Sequence, residues 1–155
     1  VSAWTVFDPS FVFQCFMALS ACDSELLRAS ADGDLDAVRT AIAMGASTAC
    51  SDHHNETPLH WAVIRCHPDV VKVLLETGVD KTLTNIGGNS PLHFAAEGRT
   101  GGRQGKDGQK ANLEIVSLLV EFGFDLNQKD KRGGTPRTVA ATAAIRRALE
   151  HSGSD

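Results

Sequence analysis

An all-α solenoid, about four stacked helix-turn-helix units joined by β-turn or hairpin loops, is the fold class the sequence predicts. Three observations predict it. Residues 57–60 read TPLH and residues 90–93 read SPLH, 33 positions apart. Each is followed by an apolar run closed by Gly-x-Asp. The first is Val70, Val71, Val73, Leu74 and Leu75 before Gly78 and Asp80, and the second is Ile115, Val116, Leu118, Leu119 and Val120 before Gly123 and Asp125. These two runs lie 45 positions apart, as do SPLH and the TPRT of residues 135–138, so a block of 12 residues is inserted between the landmarks of the later unit.

The units follow in order. Residues 23–55 lie on 56–88 without a gap, which sets Leu26 on Leu59, Ala29 on Ala62, Val38 on Val71, Ile42 on Leu75 and Gly45 on Gly78. Residues 89–133 form the third unit, with an inserted loop at about 99–110, and residues 134–155 form a short C-terminal cap. Thr57 and Ser90 precede proline, the pattern of an N-cap followed by proline at the first helical position. Ala62, Ala95 and Ala96 make the first helix of a unit small-sided, so that helices can approach closely. The second helix shows apolar spacing at i, i+3 and i+4. Gly45, Gly78 and Gly123 stand where that helix should end in a left-handed cap. The runs SDHHNE, TNIGGN and KDKRGG between units are turn-forming. One such unit cannot bury its own apolar face, whereas a stack of them can.

TPLHWA at 57–62, SPLHFA at 90–95 and the LLETGVD and LVEFGFD segments resemble the ankyrin repeat, whose period and T-P-L-H-x-A signature they match over about residues 23–151. The last unit departs from the pattern, with Arg137 and Thr138 where leucine and histidine are usual and a second helix expected near 144–151. A polar, shortened unit suits a terminal cap. The resemblance implies turns that project like fingers and first helices that form a palm. It also implies that His60 and His93 bond backbone and tie neighbouring loops, rather than serving catalysis or a metal.

Residues 1–22 read as an apolar N-terminal segment outside the repeats, ending in a Leu19-Ser20-Ala21-Cys22 sequence like a bacterial lipobox. Asp8 and the lack of upstream Lys or Arg speak against lipidation at Cys22; the other reading is a segment packed on the first unit. Cys50, His53, His54, Cys66 and His67 invite comparison with a zinc site, but the repeat register puts the first three in a turn and the last two at the opposite end of the unit. The glycine- and Lys/Arg-rich residues 98–110 miss the spacing of a phosphate-binding loop and have Asp107 where a magnesium-binding hydroxyl belongs. They read as a flexible loop whose deletion leaves folding nearly intact. No nucleophile-base pair or paired carboxylates emerge. No enzyme activity, cofactor, metal or small-molecule substrate is expected, and the spacing of the four cysteines suits passive thiols.

The formal charge of −4 is unevenly spread, −7 over residues 1–98 and +3 over 99–155. Mild acidity without interleaved aromatics disfavours nucleic acid. The function expected is a monomeric protein-protein interaction module (an adaptor, scaffold or inhibitor). Partner contact is expected at positions the repeat leaves free, His53, His54, Glu56, Ile86, Asn89, Lys131 and Arg132 on the turns and Ile64, Arg65 and Glu97 on the palm. Trp61 is expected in the core, and the charge gradient predicts a partner of mixed charge. Alternatives are a structural piece of a longer multidomain chain, and a lipoprotein anchored to a membrane through Cys22 instead of a cytoplasmic protein.

Overall fold

The computed structural model describes residues 9–98 and 106–151, with side chains for 21–98 and 107–151. Among them are seven helices and no strand: α1 Pro9–Asp32, α2 Leu35–Ala43, α3 Pro58–Ile64, α4 Pro68–Glu76, α5 Pro91–Glu97, α6 Lys106–Glu121 and α7 Ala143–His151. The helices form two layers. The first helices of successive units pack side by side, α1 on α3 and α3 on α5. The second helices form the other layer, α2 on α4, α4 on α6 and α6 on α7. This is the predicted solenoid.

Local chemistry accounts for the helix ends. Asp34 caps α2 by accepting from Ala37 N–H at 3.0 Å. Thr57 and Ser90 begin α3 and α5 with proline at the first helical position, and α2, α4 and α6 end before Gly45, Gly78 and Gly123, all at positive φ. The seam between the layers is continuous: Leu26, Val38, Leu59, Val63, Val71, Leu74, Leu92, Ile115, Leu119 and Leu149 are almost wholly withdrawn from solvent. Apart from Val63 and Leu149, these are apolar positions that the repeat register selects.

Two elements differ from the sequence expectation, and a third, the expected short cap, gains detail. First, α1 is one unbroken helix through residues 22 and 23, so the described part of the N-terminal segment continues directly into the first repeat. Cys22 lies inside that helix, half-buried against the core, and cleavage before it would sever α1. Residues 1–8 lie outside the described residues.

Second, the stretch expected as a loop at 99–110 is helical in its last five positions. Residues 99–105 lie outside the described residues, but 106–110 are the opening of α6, which has 16 residues where α2 and α4 have nine. Tertiary bonds fix this extension. Buried Gly108 accepts from the Cys66 thiol at 3.8 Å, and buried Asn112 donates from Nδ2 to the Ala95 carbonyl at 2.8 Å, satisfying an end of α5. Removing the full 99–110 stretch would therefore also remove packed helix, so deletion of its last five positions is expected to cost stability.

Third, the first helix of the last unit shrinks to a turn, with Thr138 N–H and Val139 N–H both bonded to Thr135 O. Thr138 Oγ1 accepts from Thr135 N–H at 2.8 Å, the bond that a histidine ring makes in the two preceding units. A hydroxyl cannot also reach a following loop as an imidazole does.

Candidate protein-interaction surface

The surface is built from three finger loops of one design. In each, an Asx residue folds over its own backbone. Asp52 Oδ1 accepts from His54 and Glu56 N–H, Asn85 Oδ1 from Gly87 and Asn89 N–H, and Asp130 Oδ1 from Arg132 and Gly134 N–H, all within 2.7–3.0 Å. The loops close through Asp52 N–H to Glu56 O, Asn85 N–H to Asn89 O and Asp130 N–H to Gly134 O. The fourth residue of each turn takes positive φ and is Asn55, Gly88 or Gly133. At Gly88 a Cβ would stand 3.0 Å from the Lys131 nitrogen, so the close approach of the next finger also calls for glycine.

The fingers are tied into a row. Ile86 N–H donates to His54 O at 3.0 Å, and Lys131 N–H donates to Gly87 O at 3.0 Å. Asn55 Nδ2 adds a bond to Thr84 O at 2.9 Å. Two histidines strengthen the row from beneath. His60 Nδ1 accepts from Thr57 N–H at 3.2 Å and pairs with its hydroxyl at 2.9 Å, which leaves Nε2–H to donate to Asn89 O at 3.1 Å. His93 repeats this with Ser90 and Gly134 O. Burial pushes the pKa of His60 down to about 4, so its ring is neutral at pH 7. Both imidazoles bond backbone between loops, as the resemblance implies.

A third histidine tie was not legible in the sequence. His67 Nε2 lies 3.1 Å from Ala31 O, joining the second unit to the end of α1. Its ring covers Gly33, where a Cβ would stand 2.5 Å from Nδ1 at φ +77°. Gly33→Ala is therefore expected to lower stability by about 1–3 kcal/mol through left-handed strain and collision. Thermal melts of a double-mutant cycle with His67→Ala check it. The collision part should disappear once the ring is gone, and additivity of the two changes would show that the contact is not responsible.

The expected contact positions separate into two groups. His53 and His54 are exposed with ring centroids 4.1 Å apart, and Ile86, Lys131, Arg132 and Arg65 are exposed as well. Glu56, Asn89, Ile64 and Glu97 are only half-exposed. Glu56 accepts weakly from Asn85 Nδ2 at 3.4 Å, and the polar groups of Asn89 serve its own loop and His60. Trp61 is not a core residue. It is partly exposed, donates from Nε1 to Asp52 Oδ2 at 3.1 Å, and lies under the Arg65 guanidinium at 5.8 Å. Trp61 thus braces the first finger against the palm. Burial works against the Asp52 carboxylate, but the Glu56 and His54 N–H groups and the Trp61 indole hold its pKa below the usual range.

The Cys/His group of the sequence is divided by the fold. His53 and His54 are on a finger, whereas Cys66 and His67 are between α3 and α4, bonded to Gly108 and Ala31. The Cys50 thiol is pushed up to about 12, first by burial and then by Asp23, which makes it a poor nucleophile and a poor ligand.

A layered array of helix pairs with bonded finger loops and no convergent reactive groups among the described residues defines a repeat scaffold. The model for three copies of the ankyrin repeat matches residues 26–104, and that for a single ankyrin repeat matches 87–131. The chain belongs to the ankyrin-repeat family. It is 33% identical to the E3 ubiquitin-protein ligase KEG of Arabidopsis thaliana, over 69% of this chain and 6% of that protein. It is 36% identical to an ankyrin repeat-containing protein of Schizosaccharomyces pombe, over 68% of this chain and 44% of that one. With NF-kappa-B inhibitor alpha of Sus scrofa it shares 50% identity across 42 residues, 27% of this chain and 13% of the inhibitor. The chain thus spans less than half the length of each of these relatives. Ankyrin repeats are protein-protein interaction modules, and a family of this kind is generally non-catalytic.

Proposed function

We propose that this chain is a non-catalytic module, an adaptor, scaffold or inhibitor, that binds a partner protein through its finger tips and the exposed part of its palm. The observation that supports it is the division of labour in the fingers. Their backbone and Asx side chains are consumed in holding the row, while His53, His54, Ile86, Lys131 and Arg132 are exposed on it. A preorganised row loses little conformational entropy when it binds. The similarity over 42 residues to an inhibitor protein agrees with this reading without naming a partner.

Affinity capture with the wild-type chain and with a variant combining Ile86→Asp, Lys131→Glu and Arg132→Glu tests it. A partner held by the wild type is expected to lose at least about tenfold in affinity to the variant. The variant should melt within about 2 °C of wild type, since the three side chains are exposed. Equal retention by both would remove the finger tips as the binding surface.

A further inference from the structure

We infer that the finger row takes a polypeptide segment in which an apolar side chain rests on Ile86 and neighbouring carboxylates meet Lys131 and Arg132. This rests on the protein-binding reading above and names the chemistry of the partner. Three features point to it together.

The first is which charges face outward. Asp52 uses Oδ1 for two backbone N–H groups and Oδ2 for the Trp61 indole, and Asp130 turns back over its own loop. Lys131 and Arg132 remain exposed at the third tip. Among the described residues neither is in an ion pair, the two pairs present both belonging to Arg28. The second is Ile86, 56% exposed, the large apolar side chain that the described finger row presents; the more exposed Met44 lies off the row, at the end of α2. Its finger is bonded to the third through Gly87 O and Lys131 N–H, so an apolar contact and two cations lie side by side on rigid backbone. An exposed apolar anchor beside unpaired cations suits a ligand of matching pattern: burial of the anchor gives affinity, and the charges give steering and register.

The third feature is the opposite end of the row. Finger one, residues 51–56, holds no Lys or Arg, so a ligand negative along its whole length would find no cation there. A polynucleotide needs a continuous cationic track with stacking rings, and this row offers cations at one end only. The matching ligand is a peptide whose acidic part is short and confined to the third finger. The sequence-based expectation of a mixed-charge partner thus narrows to an apolar residue flanked on one side by carboxylates.

The test is selection of random peptides of about 12 residues on the full chain, followed by anisotropy titration of the recovered peptides and of a single-stranded oligonucleotide. Titrations use wild type, Ile86→Asp and the pair Lys131→Glu with Arg132→Glu. Recovered peptides should join Asp or Glu to an aliphatic or aromatic residue. Each variant should bind them at least about tenfold more weakly, and raising salt from about 0.05 to about 0.3 M should weaken wild-type binding severalfold. Peptides that need Ile86 but carry no acidic residues, or an oligonucleotide bound as tightly at Lys131 and Arg132, would overturn the inference and leave the protein-binding reading standing. Recovery of peptides indifferent to every substitution, or of none, would overturn both.

Discussion

Replacing Leu74 with Ala is expected to lower the unfolding free energy by about 2–5 kcal/mol. Leu74 is fully buried on α4, which packs on α2, α3 and α6. Truncation therefore opens a cavity between packed helices, and transfer and cavity terms add. Domains of this size have only about 5–15 kcal/mol in total, so the loss is a large fraction of the whole. In a stack held by neighbour contacts, weakening a middle unit also uncouples the two ends. Urea unfolding should therefore show a lower midpoint and a broader or two-step transition. Met44→Ala, at a position 66% exposed on the end of α2, should shift the midpoint by less than about 0.5 kcal/mol equivalent. A Leu74→Ala midpoint close to that of Met44→Ala would show that the seam does not hold the array.

Acid is expected to destabilise the protein through His60 before it protonates the carboxylates. The folded pKa of this ring lies at about 4 and the ordinary value is 6.5. A base with a depressed folded pKa is protonated first in the unfolded chain. Its contribution is therefore complete above pH 6.5, falls away as pH drops from 6.5 towards 4, and is gone below that. The physical cause is burial, opposed by the carbonyl of Asn89, which favours the charged form. Protonation of Nδ1 also ends its bond from Thr57 N–H, so the ring would lose an acceptor that the helix start depends on. A separation of this size corresponds to about 3 kcal/mol. Denaturation curves between pH 7 and 4 check it, alongside His60→Gln. That variant should be less stable at pH 7 and noticeably flatter over the same window. An identical acid slope in the variant would assign the effect to other groups.

Much of this architecture was legible because its causes are short in sequence. Capping by Thr57 and Ser90, glycine ends at 45, 78 and 123, and the apolar spacing along α4 and α6 all act within a few residues, and each appears where the repeat register puts it. The roles of His60 and His93 were legible only through family resemblance, because the carbonyls they reach are 29 and 41 positions away. Trp61 was misjudged because apolar register cannot show that an indole N–H will meet a carboxylate nine positions earlier on a finger.

What the sequence by itself determined is the repeating unit: where helices start and stop, which side chains form most of the seam, and which runs between units turn. Tertiary structure alone decided the rest. It turned residues 106–110 into helix over Cys66, set His67 over Gly33, ran α1 without a break into the first repeat, and turned Asp130 inward while leaving Lys131 and Arg132 outside. The reason is physical. Backbone preference and apolar period are written within one turn of chain, whereas desolvation and hydrogen bonding between units depend on groups that only stacking brings together.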